Sequence, residues 1–198
     1  VCKGAIGPGV EYAETYLEAV WAAAKRASQA IKTEAARKGT ELHRAIEQQL
    51  ASPDELQSGG TTLYPLRGWL EGQSIRLVRM EQRIYSRRHR YSGTFDALGE
   101  TESGSRVLLD WKTSKSIYPE FRLQTAAYVH AYEEEFPDKK IEGRYLVRIA
   151  EDGSIEPHYY PRSALRLDFA AFLGAKKLFE RVAQIEKESR KLLKTKGK

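Results

Sequence analysis

Three strand-type runs follow one another with short breaks between residues 76 and 112, and the next such run appears only after a helix-sized interval. Strands joined by short Gly- and Ser-containing breaks pair as antiparallel neighbours, whereas a strand reached through a helix enters the same sheet by a crossover. The runs are expected at 76–86, 91–99 and 105–112, with the helix from Pro119 to about Phe136. Pro119 suits a first helical turn, and Pro137-Asp138 stops the helix. Glu142–Ala150 and Ser154–Tyr160 then read as two strands around the Asp152-Gly153 turn. The fold class this order requires is α/β, a mixed central sheet flanked by helices.

The remaining segments read as helix or loop. Glu11 to about Lys32 is Ala-rich and periodic after Gly7-Pro8-Gly9, and a second helix is expected from about Glu34 to Leu50. Ala51–Pro65 reads as a loop, Leu66–Ser74 as a short helix, and Ser163 to about Leu193 as a long terminal helix. At 198 residues and 41% hydrophobic, the chain is sized for one full core. It is therefore expected to be a single domain over 1–198, with residues 1–75 helical, 76–160 forming the sheet core and 161–198 a C-terminal helix with basic tail.

The third run, Val107-Leu-Leu-Asp-Trp-Lys112, ends in charges after an apolar stretch. Residues two apart on a strand share a face, so Asp110 and Lys112 project together. On the preceding run Thr94, Asp96 and Leu98 share a face, and Gly93 permits close backbone approach. The loop from Gly99 to Ser105 folds the two strands antiparallel, which lets Asp96 and Asp110 converge. Two convergent carboxylates form a hard oxygen site suited to Mg2+ or Mn2+, the chemistry of metal-dependent phosphodiester cleavage. Lys112 would act there either as a base or as an ammonium stabilising phosphorane charge.

In order along the chain, Gly39-Thr-Glu-Leu-His43, Gly93-Thr-Phe-Asp96, Asp110-Trp-Lys112 and Gln124-Thr-Ala-Ala-Tyr128 resemble the four motifs of the PD-(D/E)XK nuclease superfamily, in its RecB-like exonuclease branch. The resemblance covers roughly residues 39 to 128. It implies a restriction endonuclease-like core with N-terminal helical additions, the metals at one edge of the sheet and the N-terminal helices as a substrate gate. It also implies that His43, Asp96 and Asp110 are metal ligands, that the Trp111 carbonyl completes the shell, and that Lys112 is the catalytic lysine. Gln124 and Tyr128 would bind the phosphodiester or position Lys112. Glu81, on the strand before Asp96, would lie near the metals, and Ser114 or Lys115 would meet a substrate phosphate.

The implied activity is a Mg2+- or Mn2+-dependent DNA exonuclease acting on single strands or ends, using one or two ions. A structure-specific or nicking endonuclease would use the same residues, and a noncatalytic DNA-binding module would keep the fold without the chemistry. Cys2 is the only cysteine, so the four-cysteine iron-sulfur cluster of some relatives is not expected; the chain resembles the cluster-free viral and mitochondrial-type enzymes. The sequence carries no helicase motif, so unwinding would come from a helicase or recombination protein. With a mean hydropathy of -0.58, no apolar run of membrane-spanning length and no signal peptide, an intracellular setting is expected.

The net charge of +6 is unevenly spread: residues 187–198 hold six Lys or Arg against Glu188, leaving +1 for the rest. That tail reads as a solvated helix end or as a nonspecific phosphate contact. Arg83, Arg87, Arg88 and Arg90, interleaved with Tyr85 and Tyr91, read either as a strand-holding surface or as a charged hairpin tip. His89, His130 and His158 fit no ligand pattern and are expected to be structural.

Overall fold

The computed structural model describes residues 39–46, 64–150 and 152–196. The expected helix Glu11–Lys32, most of the loop Ala51–Pro65 and the flanks of the helix Glu34–Leu50 lie outside the described residues; within the last, 39–46 is helical and is called α1. The elements that follow are α2 (Tyr64–Gly72), β1 (Ile75–Ser86), β2 (Tyr91–Thr101), β3 (Arg106–Lys112), α3 (Pro119–Glu135), β4 (Ile141–Ile149), β5 (Ile155–Pro161) and α4 (Arg162–Lys196). Chain contacts separate residues 1–45 from a unit beginning at Ile46, and that second unit contains the sheet.

The sheet has five strands in the order β1-β2-β3-β4-β5. β1, β2 and β3 form an antiparallel meander, β4 lies parallel to β3, and β5 returns antiparallel. The parallel pair is the one separated by α3, as expected for a strand reached through a helical crossover. A tight turn closes β2 onto β3, where Gly104 adopts φ 79 and its N–H bonds the Thr101 carbonyl at 2.9 Å. Glycine takes that left-handed conformation without the steric cost of a side chain.

Alternation along β4 puts helices on both faces. Arg144 meets Thr125 of α3 and Asp168 of α4, while its neighbour Tyr145 packs edge-on against Trp69 of α2 with ring centroids 5.0 Å apart. Successive strand residues point to opposite faces, so α2 covers the side away from α3 and α4. Between α3 and the sheet lies a core of Ile84, Phe95, Leu98, Leu108, Val129 and Tyr132. Burying each such side chain contributes about 1.5–3 kcal/mol.

Polar ties fix α3 more firmly than that core alone. Arg144 is 1% exposed and donates to Asp168 at 2.5 Å and to the Arg122 carbonyl at 2.7 Å; Arg122 donates to Asp168 at 2.9 Å. At the other end, Glu134 accepts from Ser86 Oγ at 2.6 Å and from the Arg88 N–H at 3.0 Å, holding the β1–β2 hairpin tip. Glu133 takes Arg162 in a two-pronged pair at 2.6 and 3.1 Å. Burial works against the charge on Glu133, but Arg162 and the Ile141 N–H outweigh it and hold its pKa below the usual value. No helix among the described residues is long and apolar enough to cross a membrane.

Candidate active site

Asp96 and Asp110 sit one residue beyond the Ala97–Leu109 pair, on the neighbouring strands β2 and β3. Both are buried, 6% and 2% exposed. Carboxylates at that depth are costly to keep charged without compensating partners. Asp96 Oδ2 accepts the Trp111 backbone N–H at 2.6 Å, so the residue between Asp110 and Lys112 holds the carboxylate of the adjacent strand. Asp110 Oδ2 faces Lys112 Nζ at 2.5 Å, the shared strand face expected from their spacing.

Helix α3 holds the lysine from the other side. Lys112 Nζ donates to Gln124 Oε1 at 3.1 Å, and Gln124 Nε2 donates to the Tyr128 hydroxyl at 2.7 Å. The amide orientation follows from chemistry: an ammonium can only donate, so the carbonyl end of Gln124 must face it. The i,i+4 spacing of Gln124 and Tyr128 therefore serves a relay across one helical face. Nζ also lies 4.7 Å from the centroid of the Phe121 ring, in cation–π range. Burial, then the charges of Asp110 and Asp96, push the Tyr128 pKa well up, although the Gln124 hydrogen bond opposes this. The phenol stays protonated, and because Gln124 is the donor to it, its own O–H proton is not used in that bond.

Gly93 makes this packing possible. A Cβ at that position would lie 2.5 Å from Tyr128 Cε1, closer than side chains tolerate. Gly93→Ala is thus expected to push the Tyr128 ring away from Gln124 at an overpacking cost of about 1–3 kcal/mol. A misplacement of that order can lower activity up to about 100-fold. Turnover measured alongside thermal melting would separate the two effects.

Glu81 enters from β1. It has φ 47, a left-handed backbone that costs a residue with a side chain roughly 1–3 kcal/mol. The β1–β2 register runs from Met80–Ala97 to Gln82–Phe95, which leaves Glu81 level with Asp96. The two residues bring carboxylate oxygens within 4.8 Å of one another. An oxygen-rich pair at that separation fits a hard divalent cation. Sequence reasoning placed Glu81 near the site, but nothing in Leu77-Val-Arg-Met-Glu81 signals its backbone.

Asp96 and Asp110 occupy the interior strands β2 and β3; of the carboxylates above, only Glu81 is on an edge strand. The crossover sets this, because inserting β4 beside β3 moves β3 to the middle. Ser114 donates its hydroxyl to the Ser116 carbonyl at 2.6 Å, closing its own loop, and Lys115 is exposed on that loop. The Trp111 side chain is buried. His43 lies half-buried on α1, before the start of the unit that carries the sheet.

At the hairpin tip, the Tyr91 hydroxyl bonds the Ala127 carbonyl at 2.8 Å and its ring packs on Phe172, so Tyr91 serves the interior. Tyr85 remains 52% exposed and lines a cleft of about 490 Å³ with Arg83, Ser92 and Thr94. His130 stacks on Phe169 at 3.8 Å, and His89 packs edge-on against both rings, a structural cluster as expected. Sequence reasoning missed Phe121. Its signal was available in the i,i+3 spacing from Gln124, which puts both on the face that receives Lys112.

A three-strand meander, a helical crossover into a parallel strand, and Asp96, Asp110 and Lys112 gathered on the two central strands of that arrangement are now all in place. The chain has an α/β core, a mixed five-stranded sheet flanked by helices. No family model matches the chain, and no curated protein matches it in sequence. Among solved structures it is similar to a candidate exonuclease from Eubacterium rectale, with 12% identity over 77% of this chain and 68% of that one and a TM-score of 0.49. It is also similar to an alkaline exonuclease from Laribacter hongkongensis, with 13% identity over 67% and 73% of the two chains and a TM-score of 0.34. A repair endonuclease from Pyrococcus abyssi overlaps 46% of this chain and 38% of its own, at 18% identity and a TM-score of 0.30.

Proposed function

We propose that the protein is a divalent-metal-dependent DNA exonuclease of the RecB-like branch, hydrolysing phosphodiester bonds of single strands or DNA ends as a single nuclease domain. The observation that carries this reading is the buried pair Asp96 and Asp110 beside a lysine held by Asp110 and Gln124. An Asp110–Lys112 ion pair that was only structural would have no need of a second buried carboxylate on the neighbouring strand or of the glutamine–tyrosine relay behind the ammonium.

Asp96, Asp110 and Glu81 would supply oxygen ligands for Mg2+ or Mn2+, and the family motif would add His43 and the Trp111 carbonyl. The ion, when bound, supplies Lewis acidity and charge neutralisation for the phosphodiester. Lys112 stands where charge develops on the attacked phosphate, with its position set by Gln124 and its stem side by Phe121. The protonated Tyr128 hydroxyl is a donor for a non-bridging phosphate oxygen. Ser114, Lys115 and the exposed Arg83 and Tyr85 would hold the flanking strand by phosphate contact and stacking. Unwinding of duplex substrates is assigned to a helicase or recombination partner.

The test is cleavage of end-labelled single-stranded, duplex and circular DNA with Mg2+, Mn2+ or EDTA. Linear strands are expected to disappear into short products while circles survive, with EDTA abolishing cleavage. Nicked circles would move the assignment to an endonuclease, and tight binding without cutting would make the protein a DNA-binding module.

A further inference from the structure

A cleft of about 520 Å³ opens beside Gln124 and Tyr128, on the side of α3 that faces α4. Its walls include Phe121, Leu123, Ala127 and Phe172, with Glu120 and Ser92 among its polar groups. Phe121 belongs to both places, since its ring lines the cleft and also meets Lys112 Nζ. The volume falls in the range of small-ligand sites, roughly 300–1,000 Å³, and apolar aromatic walls with a few polar groups are their usual lining.

The chemistry of the walls selects the occupant. Among the described residues none that line the cleft is Lys or Arg, and Glu120 places a carboxylate there, so a phosphate is repelled. A planar, uncharged group that stacks is favoured: Phe172 is held edge-on to Tyr91 with centroids 5.0 Å apart, and Tyr91 is itself fixed through its hydroxyl to Ala127. Rings held in this way present a stacking surface at little entropic cost.

We propose that this cleft receives a nucleobase of the substrate strand, next to the phosphodiester held at Asp96, Asp110 and Lys112. The inference rests on the nuclease reading above and adds a substrate class to it. A base can enter only when unstacked from its neighbours, so the cleft selects a single-stranded or splayed nucleotide at the cutting position. Duplex that is not opened presents its bases to each other, not to Phe172.

Two readouts test this on the full chain. The first is fluorescence of single-stranded oligonucleotides carrying 2-aminopurine at successive positions from one end, bound with Ca2+ in place of the working ion. The second is cleavage in Mg2+ of matched strands carrying one abasic site at each of those positions. Wild type is expected to change the 2-aminopurine emission distinctively at one position only, where the base leaves the stack of its neighbours, and an abasic site there is expected to slow cutting by roughly tenfold to a hundredfold, the range for loss of one base–aromatic stack. Phe172→Ala is expected to abolish the position-specific change and bring the intact-to-abasic rate ratio toward one; Phe172→Leu, which keeps an apolar side chain without the ring, is expected to lose the change while remaining folded by thermal melting. Emission and cutting that ignore both the abasic position and Phe172 would overturn the cleft assignment while leaving the nuclease standing. A Phe172-dependent change with no cutting of any strand would instead overturn the nuclease reading and support base binding in the cleft.

Discussion

Lys112→Ala is expected to reduce phosphodiester cleavage by about 10²–10⁴-fold, the range for loss of a group acting on the reacting atoms. The expectation follows from how specifically the ammonium is stationed. Asp110 Oδ2 lies 2.5 Å from Nζ, Gln124 Oε1 accepts from it at 3.1 Å, and the Phe121 ring lies 4.7 Å away. Lys112→Arg should not restore the rate, because a planar guanidinium cannot occupy a position shaped for a compact ammonium. Gln124→Ala should cost less, about tenfold, since it removes one of several groups that position Nζ and leaves the amine in place. Single-turnover rates for the three variants, each with its melting temperature, test the order. Equal losses in Lys112→Ala and Gln124→Ala would mean that α3 does more than position the lysine.

The second large effect is on stability, and it arises away from the carboxylates of the site. Asp168 faces two arginines: Arg144, 1% exposed, at 2.5 Å and Arg122 at 2.9 Å. Burial lowers the Arg144 pKa, and Asp168 is the counter-charge that opposes this. Removing one partner of a buried pair leaves an uncompensated charge, so Asp168→Ala should destabilise the protein by about 3–5 kcal/mol. For a chain of this size that lowers the melting temperature by roughly 6–20 °C. Replacing Arg144 and Asp168 together by apolar residues of similar volume should cost much less, because no charge is then stranded. A thermal-melting cycle over the two single variants and the double variant tests this. Additive losses in the double would show that the two side chains act separately. Arg122 lies on α3 only two residues before Gln124, so this network also anchors the helix that positions the lysine.

What the sequence disclosed and what it concealed divide along physical lines. The β2–β3 hairpin and the placing of Asp96 and Asp110 side by side on neighbouring strands were legible, because period-two alternation and a Gly- and Ser-containing loop fix register locally. Helix α3 was legible from Pro119 and from the stop at Pro137, and its role as a crossover followed from the strand behind it. The depth of the carboxylates in the sheet was not, because strand order depends on where β4 inserts. Tyr91 read equally well as a stacking surface or a hairpin residue, and only the packing of α4 through Phe172 turns it inward. The Arg144–Asp168 pair joins residues 24 positions apart on different elements, a tie no local pattern carries. Glu81 gives no sign of φ 47, since Glu has no preference for that region.

The central claim is that Asp96 and Asp110 hold a divalent cation that cleavage requires. The most direct measurement titrates Mn2+ into EDTA-stripped protein, following bound ion by electron paramagnetic resonance and cutting of an end-labelled single strand in the same samples. Cleavage is expected to rise with occupancy and to be lost together with binding in Asp96→Ala and Asp110→Ala, while Lys112→Ala still binds the ion and does not cut. Cutting that persists in EDTA, or an Asp96→Ala variant that binds Mn2+ and cleaves like wild type, would contradict the account.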